Sequence, residues 1–241
     1  MYQERKYREW VRQDDLVAVR VVEEETDLLI SGDMDLSVAA AEAMTKYRGQ
    51  IKAYIVRDRK FQLALEPVEV RDDAPEIVKE MARAAEIVGV GPFASVAGAM
   101  AERVGRDLLG ISERIIVENG GDIFICDPST KRLLGIYAGS SAFTGKLALK
   151  IEPDQTPLGV CTSSGTVGHS LSFGRADAVI VLSKWTALAD AAATATGNLV
   201  KTEEDIQKAV EFGRSIEGVE GVIIIMGEKI GAWGTIEIVG A

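Results

Sequence analysis

The sequence predicts one α+β domain over residues 1–241, with helices packed on a large mixed β-sheet. Three observations lead there. The chain has 241 residues, and roughly 150 residues per domain allows one or two domains. No linker, low-complexity segment or internal repeat divides it. Helical spacing of apolar residues dominates the first half and short β-branched runs the second, which sets helices against a sheet.

Residues 16–22 and 27–30 read as a hairpin split by the acidic turn Glu23 to Thr26. Ser31-Gly32-Asp33 breaks the strand, and Asp35 or Ser37 caps a helix reaching about Arg57. Leu36, Ala40, Ala43, Tyr47, Ile51 and Tyr54 share one face of that helix. Residues 61–70 alternate like a strand, with Pro67 confining it to an edge. Asp73-Ala74-Pro75-Glu76 starts the next helix, whose buried stripe is Ile77, Met81, Ala84, Ala85 and Val88. Gly89, Gly91 and Pro92 end it, and a helix rich in small residues runs from Phe93 to about Leu109. Strands are expected at 114–118, 122–126, 132–137, 146–151, 158–162 and 176–182. An Ala-rich helix follows from Thr186 to Val200, then a helix at 203–214 opened by Thr202 and Asp205 as a capping box. Strands at 221–226 and 235–239 close the chain.

Hydrophobic residues make up 47% and charged residues 27%, an ordinary globular balance. Lys plus Arg is 27 and Asp plus Glu 37, giving a net charge of −10. That excludes a general nucleic-acid binder, which needs a positive face, but leaves room for a local anion site of backbone N–H groups. The two cysteines, Cys126 and Cys161, form no CxxC, and His169 is the single histidine. A cysteine-held zinc or iron–sulfur centre and a multi-histidine metal site are therefore excluded. No apolar run reaches the ~18 residues of a membrane span. The charged N-terminus lacks a signal core, so a cytoplasmic, reduced protein is expected. A homo-oligomer remains open.

Two nucleotide motifs are only superficial. Gly89 to Ala94 fits G-x-G-x-x-A, but a helix precedes it where the dinucleotide fingerprint needs a strand. Gly139 to Lys146 imitates a P-loop with five intervening residues, and Leu147 stands where a magnesium-binding hydroxyl belongs. No G-x-S-x-G is present. Cys161 reads as a buried strand residue rather than as half of a dyad with His169.

Three segments carry more. Asn119-Gly120-Gly121-Asp122 lets backbone approach a ligand closely and offers Asp122 to a ligand hydroxyl; a tight hairpin turn is the alternative. Thr162-Ser163-Ser164-Gly165 and the following residues to His169 and Ser170 supply N–H and O–H donors for phosphates, or form an ordinary turn. Thr186, Asp190 and Thr194 share one face of the Ala-rich helix. A carboxylate and a hydroxyl one turn apart suit a hard cation such as Mg2+, unless Thr186 or Asp190 only caps the helix.

Taken together, a small-residue helix with Gly98, then Asn119 to Ile123, then Thr162 to Gly165, then Ala189-Asp190 with Thr194, resembles the ApbE-like flavin transferase superfamily. The likeness spans roughly residues 85–240 and is closest to a compact branch of the superfamily. It implies an ApbE-like, T-fold-like fold and a cleft that binds FAD with Mg2+ beside the pyrophosphate. It further implies transfer of FMN to a threonine of a partner protein, or hydrolysis of FAD to FMN and AMP. On this resemblance Asp190 and Thr194 are the metal ligands, with a backbone carbonyl near Val96. Gly98, Asn119, Gly120, Gly121, Asp122, Thr162, Ser163, Ser164, Gly165 and His169 are the cofactor-binding residues; no catalytic residue is assigned. Two departures matter. Ala97 stands where the family has Lys, and no Asp-Pro follows His169. They make FMN transfer weak and hydrolysis the stronger activity, with a non-catalytic flavin or nucleotide-binding accessory protein as the alternative. Relatives in this branch are linked with anaerobic sulfur assimilation.

Overall fold

The β-branched runs pair into an eight-stranded sheet in a computed structural model that describes residues 8, 13–166 and 172–240. Its strands are β1 (Val17–Glu23), β2 (Thr26–Gly32), β3 (Ile115–Asn119), β4 (Asp122–Cys126), β7 (Leu158–Ser163), β8 (Ala178–Ser183), β9 (Val219–Met226) and β10 (Lys229–Gly234), in that spatial order. A second sheet holds β5 (Arg132–Gly135), β6 (Leu147–Ile151) and β11 (Glu237–Gly240), in the order β11-β6-β5. Helices α1 (Ser37–Arg57), α2 (Arg59–Leu63), α3 (Glu76–Val88) and α4 (Val96–Leu108) lie between β2 and β3; α5 (Thr186–Asn198) and α6 (Ile206–Ser215) lie between β8 and β9.

The large sheet is the middle of three layers. Alternation sends Val117 and Phe124 toward the helices, into a core with Ile77, Met81, Val104 and Ala191. It sends Ile116 and Ile125 to the other face, against Leu134, Leu149 and Ile151 of the small sheet. Helix α5 is sandwiched at the centre, its alanines meeting β7 to β9 on one side and α4 on the other.

The α+β class holds, and three expectations are corrected. The sheet expected to be mixed is antiparallel in every pairing. The cause is connectivity: β8 reaches β9 through two helices rather than one, so the chain returns to the end it left. Residues 61–70 are not a strand. Arg59–Leu63 is a short helix that seats Phe61 edge-on against Tyr54 and Phe93, at 5.2 and 5.7 Å between ring centroids. After it Leu63 and Leu65 are exposed, Ala64 lies close against Gly91, and Val68 and Val70 rest part-buried on the helical core. Strand β10 was not foreseen, because Gly231 and Gly234 interrupt its pattern. Gly231 is needed where it stands, since a Cβ would lie 2.4 Å from Cγ2 of Ile206.

Candidate functional site

Helices α4 and α5 cross at Gly98. A Cβ there would lie 2.6 Å from the Thr186 carbonyl oxygen and 2.8 Å from Cβ of Asp190. The small residue is thus a requirement of helix contact, and the contact sets up an exchange of caps. The Gly98 N–H, in the first turn of α4, donates to Asp190 Oδ2 at 2.8 Å, while the Thr186 N–H at the start of α5 donates to Glu102 Oε2 at 2.7 Å. Each helix terminates the other's unpaired N–H groups with a carboxylate. Asp190 does cap a helix, but a neighbouring one.

The end of the sheet lies beneath this crossing. Gly120 and Gly121 form the two-residue turn between β3 and β4, with φ of +70° and +105°. That conformation demands glycine and accounts for the pair without a ligand. The flanking residues face the helices. Asn119 donates through Nδ2 to the Ala97 carbonyl at 3.1 Å, and Asp122 Oδ1 accepts from the Thr162 N–H at 3.2 Å. One register step beyond the Ile123–Val160 pair, Asp122 lies opposite Cys161. The Cys161 thiol, fully buried, lies 3.4 Å from the Thr186 carbonyl and is also hydrogen-bonded to Asp122.

Gly98, Asn119, Asp122, Thr162 and Asp190 therefore meet although they are far apart in sequence. Burial pushes Asp122 up to about 7, with Glu118 adding repulsion against the opposing bonds from Thr162 and Cys161. Burial, then the charge of Asp122, pushes Asp190 well above the carboxylate range despite N–H bonds from Gly98 and Ala97. Burial also raises the Cys161 thiol, so it is no nucleophile at neutral pH. Among the described residues no Lys or Arg forms an ion pair with either aspartate.

Helix α5 is buried apart from one stripe: Asp190, Thr194 and Asn198, at i, i+4 and i+8, are half-buried while its remaining residues are covered. Thr194 thus shares an accessible edge with Asp190. Ser163 lies beside this edge, its Oγ 3.7 Å from where a Cβ of Gly197 would be. The Ser164 hydroxyl accepts from the Thr166 N–H at 3.1 Å. Gly165 is fixed by its N–H to the Ala176 carbonyl at 2.9 Å and by close packing on Gly174. His169 lies outside the described residues. Glu102, Cys161 and Asn198 were missed as neighbours; only Asn198, one turn beyond Thr194, was visible from spacing.

Among the described residues no three of His, Cys, Asp and Glu are grouped to hold a metal. The groups present are Asp190, Thr194, the nearby Asp122 and backbone carbonyls, an oxygen set in which two close carboxylates lack a cation. Such a set fits a hard divalent ion that keeps water and phosphate ligands, and does not fit a soft one.

Residues 8–237 match the family described as "AbpE bacteria", and the chain belongs to that ApbE-like family. A UPF0280 protein of Methanocaldococcus jannaschii is 43% identical over 224 residues, covering 90% of each chain. A UPF0280 protein of Methanosarcina acetivorans is 40% identical over 215 residues, covering 88% of this chain and 84% of that one. The fold is shared with the ApbE protein of Thermotoga maritima, at a TM-score of 0.57 and 14% identity, covering 90% of this chain and 96% of that chain. It is shared too with the apo flavinyl transferase ApbE of Pseudomonas stutzeri, at a TM-score of 0.53 and 13% identity, covering 92% of this chain and 95% of that chain.

Proposed function

We propose that the protein binds a flavin dinucleotide, FAD, along the accessible edge of α5, with a magnesium ion held by Asp190 and Thr194, and acts on its pyrophosphate. The observation that carries this reading is the Asp122–Asp190 pair: two neighbouring carboxylates with no counter-cation among the described residues, beside the one open stripe of a buried helix. Asp190 is aimed by the Gly98 N–H, and Asp122 by the Thr162 N–H, so both are fixed before any ligand arrives. When bound, the metal offsets pyrophosphate charge and lowers the barrier to cleavage of the P–O–P bridge. Thr162 and Ser163 offer hydroxyl donors to phosphate oxygens. Membership of an ApbE-like family and a fold shared with a flavinyl transferase support the ligand class.

Between transfer and hydrolysis, the residues favour hydrolysis. Ala97 presents a methyl where the resemblance expects a lysine charge, so one stabiliser of the transferred group is missing. The same residue favours the second reading, a non-catalytic flavin carrier that assists a partner protein.

The test is calorimetric titration with FAD, in magnesium and in excess chelator, followed by product analysis. Heat released only with magnesium is expected, with AMP formed and no FMN attached to an acceptor protein carrying a threonine motif. Bound FAD without AMP selects the carrier reading. Negligible heats under both conditions contradict both readings.

A further inference from the structure

The polar edge of α5 has two ends. Asp190 is at one and Asn198 at the other, eight residues and therefore roughly 12 Å along the axis at 1.5 Å per residue. At the Asn198 end, the chain returning from β7 is pinned to the helix. The Phe173 N–H donates to Asn198 Oδ1 at 2.9 Å, the Phe173 carbonyl accepts from Lys201 Nζ, and the Arg175 N–H donates to the Val200 carbonyl at 2.8 Å. Between them Gly174 lies flat on the helix end, where a Cβ would be 1.9 Å from the Gly197 carbonyl oxygen. The backbone at Phe173 is thus fastened on both sides, yet the residue is 53% exposed. An aromatic ring left out of the core on a fastened backbone, at the open end of a polar stripe, is arranged to meet something flat.

We propose that Phe173 is the stacking platform for the planar ring of the nucleotide whose diphosphate lies at Asp190. The inference rests on the functional reading above and adds a residue to it. The stripe Asp190–Thr194–Asn198 is the floor between the two ends, with Ser163 along one side. Asn198 is a positioning residue: it holds the Phe173 backbone and touches no ring.

The full-length wild type, Phe173→Ala and Phe173→Trp are titrated with FAD, ADP and inorganic pyrophosphate, each with magnesium, while flavin emission is followed. Loss of an aromatic stacking partner is expected to weaken FAD binding roughly tenfold. Phe173→Trp restores it, and pyrophosphate binding is equal in all three proteins. If the flavin is the stacked ring, its emission is quenched in Phe173→Trp, whose indole donates an electron to the excited flavin, and not in wild type or Phe173→Ala. If the adenine is stacked, ADP binding falls in parallel and flavin emission is the same in all three. FAD and ADP binding to Phe173→Ala within twofold of wild type would overturn the inference while leaving the cation site standing. A wild type that binds neither nucleotide would overturn both. Because the ring is exposed, unchanged thermal unfolding of the variants is the folding control.

Discussion

Two sets of acidic side chains lie at different places in this fold and are handled in opposite ways. At the junction of β4 and β5, Asp127 is fully buried but held by N–H bonds from Ser129 and Thr130 at 3.0 and 2.8 Å, and by Arg132 Nε at 2.6 Å. Arg132, itself 2% exposed, also pairs with Asp15 at 2.5 Å. Burial alone would raise Asp127, yet the N–H bonds and the guanidinium outweigh it and its pKa is lowered. At the crossing of α4 and α5, Asp122 and Asp190 receive backbone N–H bonds of similar kind but, among the described residues, no guanidinium, and both are raised. The difference isolates the missing ingredient. Asp127 comes with its cation; among the described residues the pair at the crossing does not. On the proposed function, that cation arrives with the ligand.

The largest effect is expected where the cation is part of the chain. Arg132→Met strands Asp127 in the interior, and breaking a buried pair costs about 3–5 kcal/mol. Urea unfolding measures it; a loss near zero would mean that Asp127 is held by its N–H bonds alone. Next comes Gly98→Ala, whose methyl would push against the Thr186 carbonyl, an overpacking cost of about 1–3 kcal/mol. The same unfolding assay reads it, and magnesium-dependent FAD binding should fall with it. An unaffected protein would show that the two helices separate easily. Asp190→Asn is expected to change stability by less than about 1 kcal/mol, since it keeps the shape and an acceptor for the Gly98 N–H while removing repulsion with Asp122. A large loss would return Asp190 to being chiefly a helix cap.

The pH response sharpens the contrast further. Asp15, drawn down to about 2 by its bond to Arg132, and Asp127, also lowered, contribute stability above the ordinary 3.8 that is lost as pH falls through their folded values. Asp122 has the opposite sign. Its folded pKa is about 7 against an unfolded 3.8, so the folded state binds the extra proton between them and stability declines as pH rises across that window. Urea midpoints of the metal-free protein from pH 4 to 8 should fall in wild type and fall less steeply in Asp122→Asn, where Asp190, raised chiefly by its own burial, still contributes.

Much of this was legible in the sequence because local patterning carried it. The face from Leu36 to Tyr54 is buried as its spacing required, and Thr202 with Asp205 closes the capping box. The residues 61–70 misled because their alternation does not record burial: Phe61 is buried against helices, while Leu63 and Leu65 are exposed. Strand direction was hidden because it depends on which strands become neighbours in the sheet, a tertiary matter. At the site, the glycines were readable and their reasons were not. Gly98 serves a helix crossing and Gly120–Gly121 a turn, whereas the electrostatic tension lies in Asp122 and Asp190, whose proximity no spacing discloses.

The most direct measurement of that tension is the unfolding free energy of wild type and Asp190→Asn at pH 8, each with magnesium and with chelator. Magnesium is expected to stabilise wild type at pH 8, above the value of about 7 to which Asp122 is pushed, to do so less at pH 5, and to leave Asp190→Asn unchanged. Equal stabilisation of both proteins, or none of wild type at pH 8, would contradict a cation site at the α4–α5 crossing.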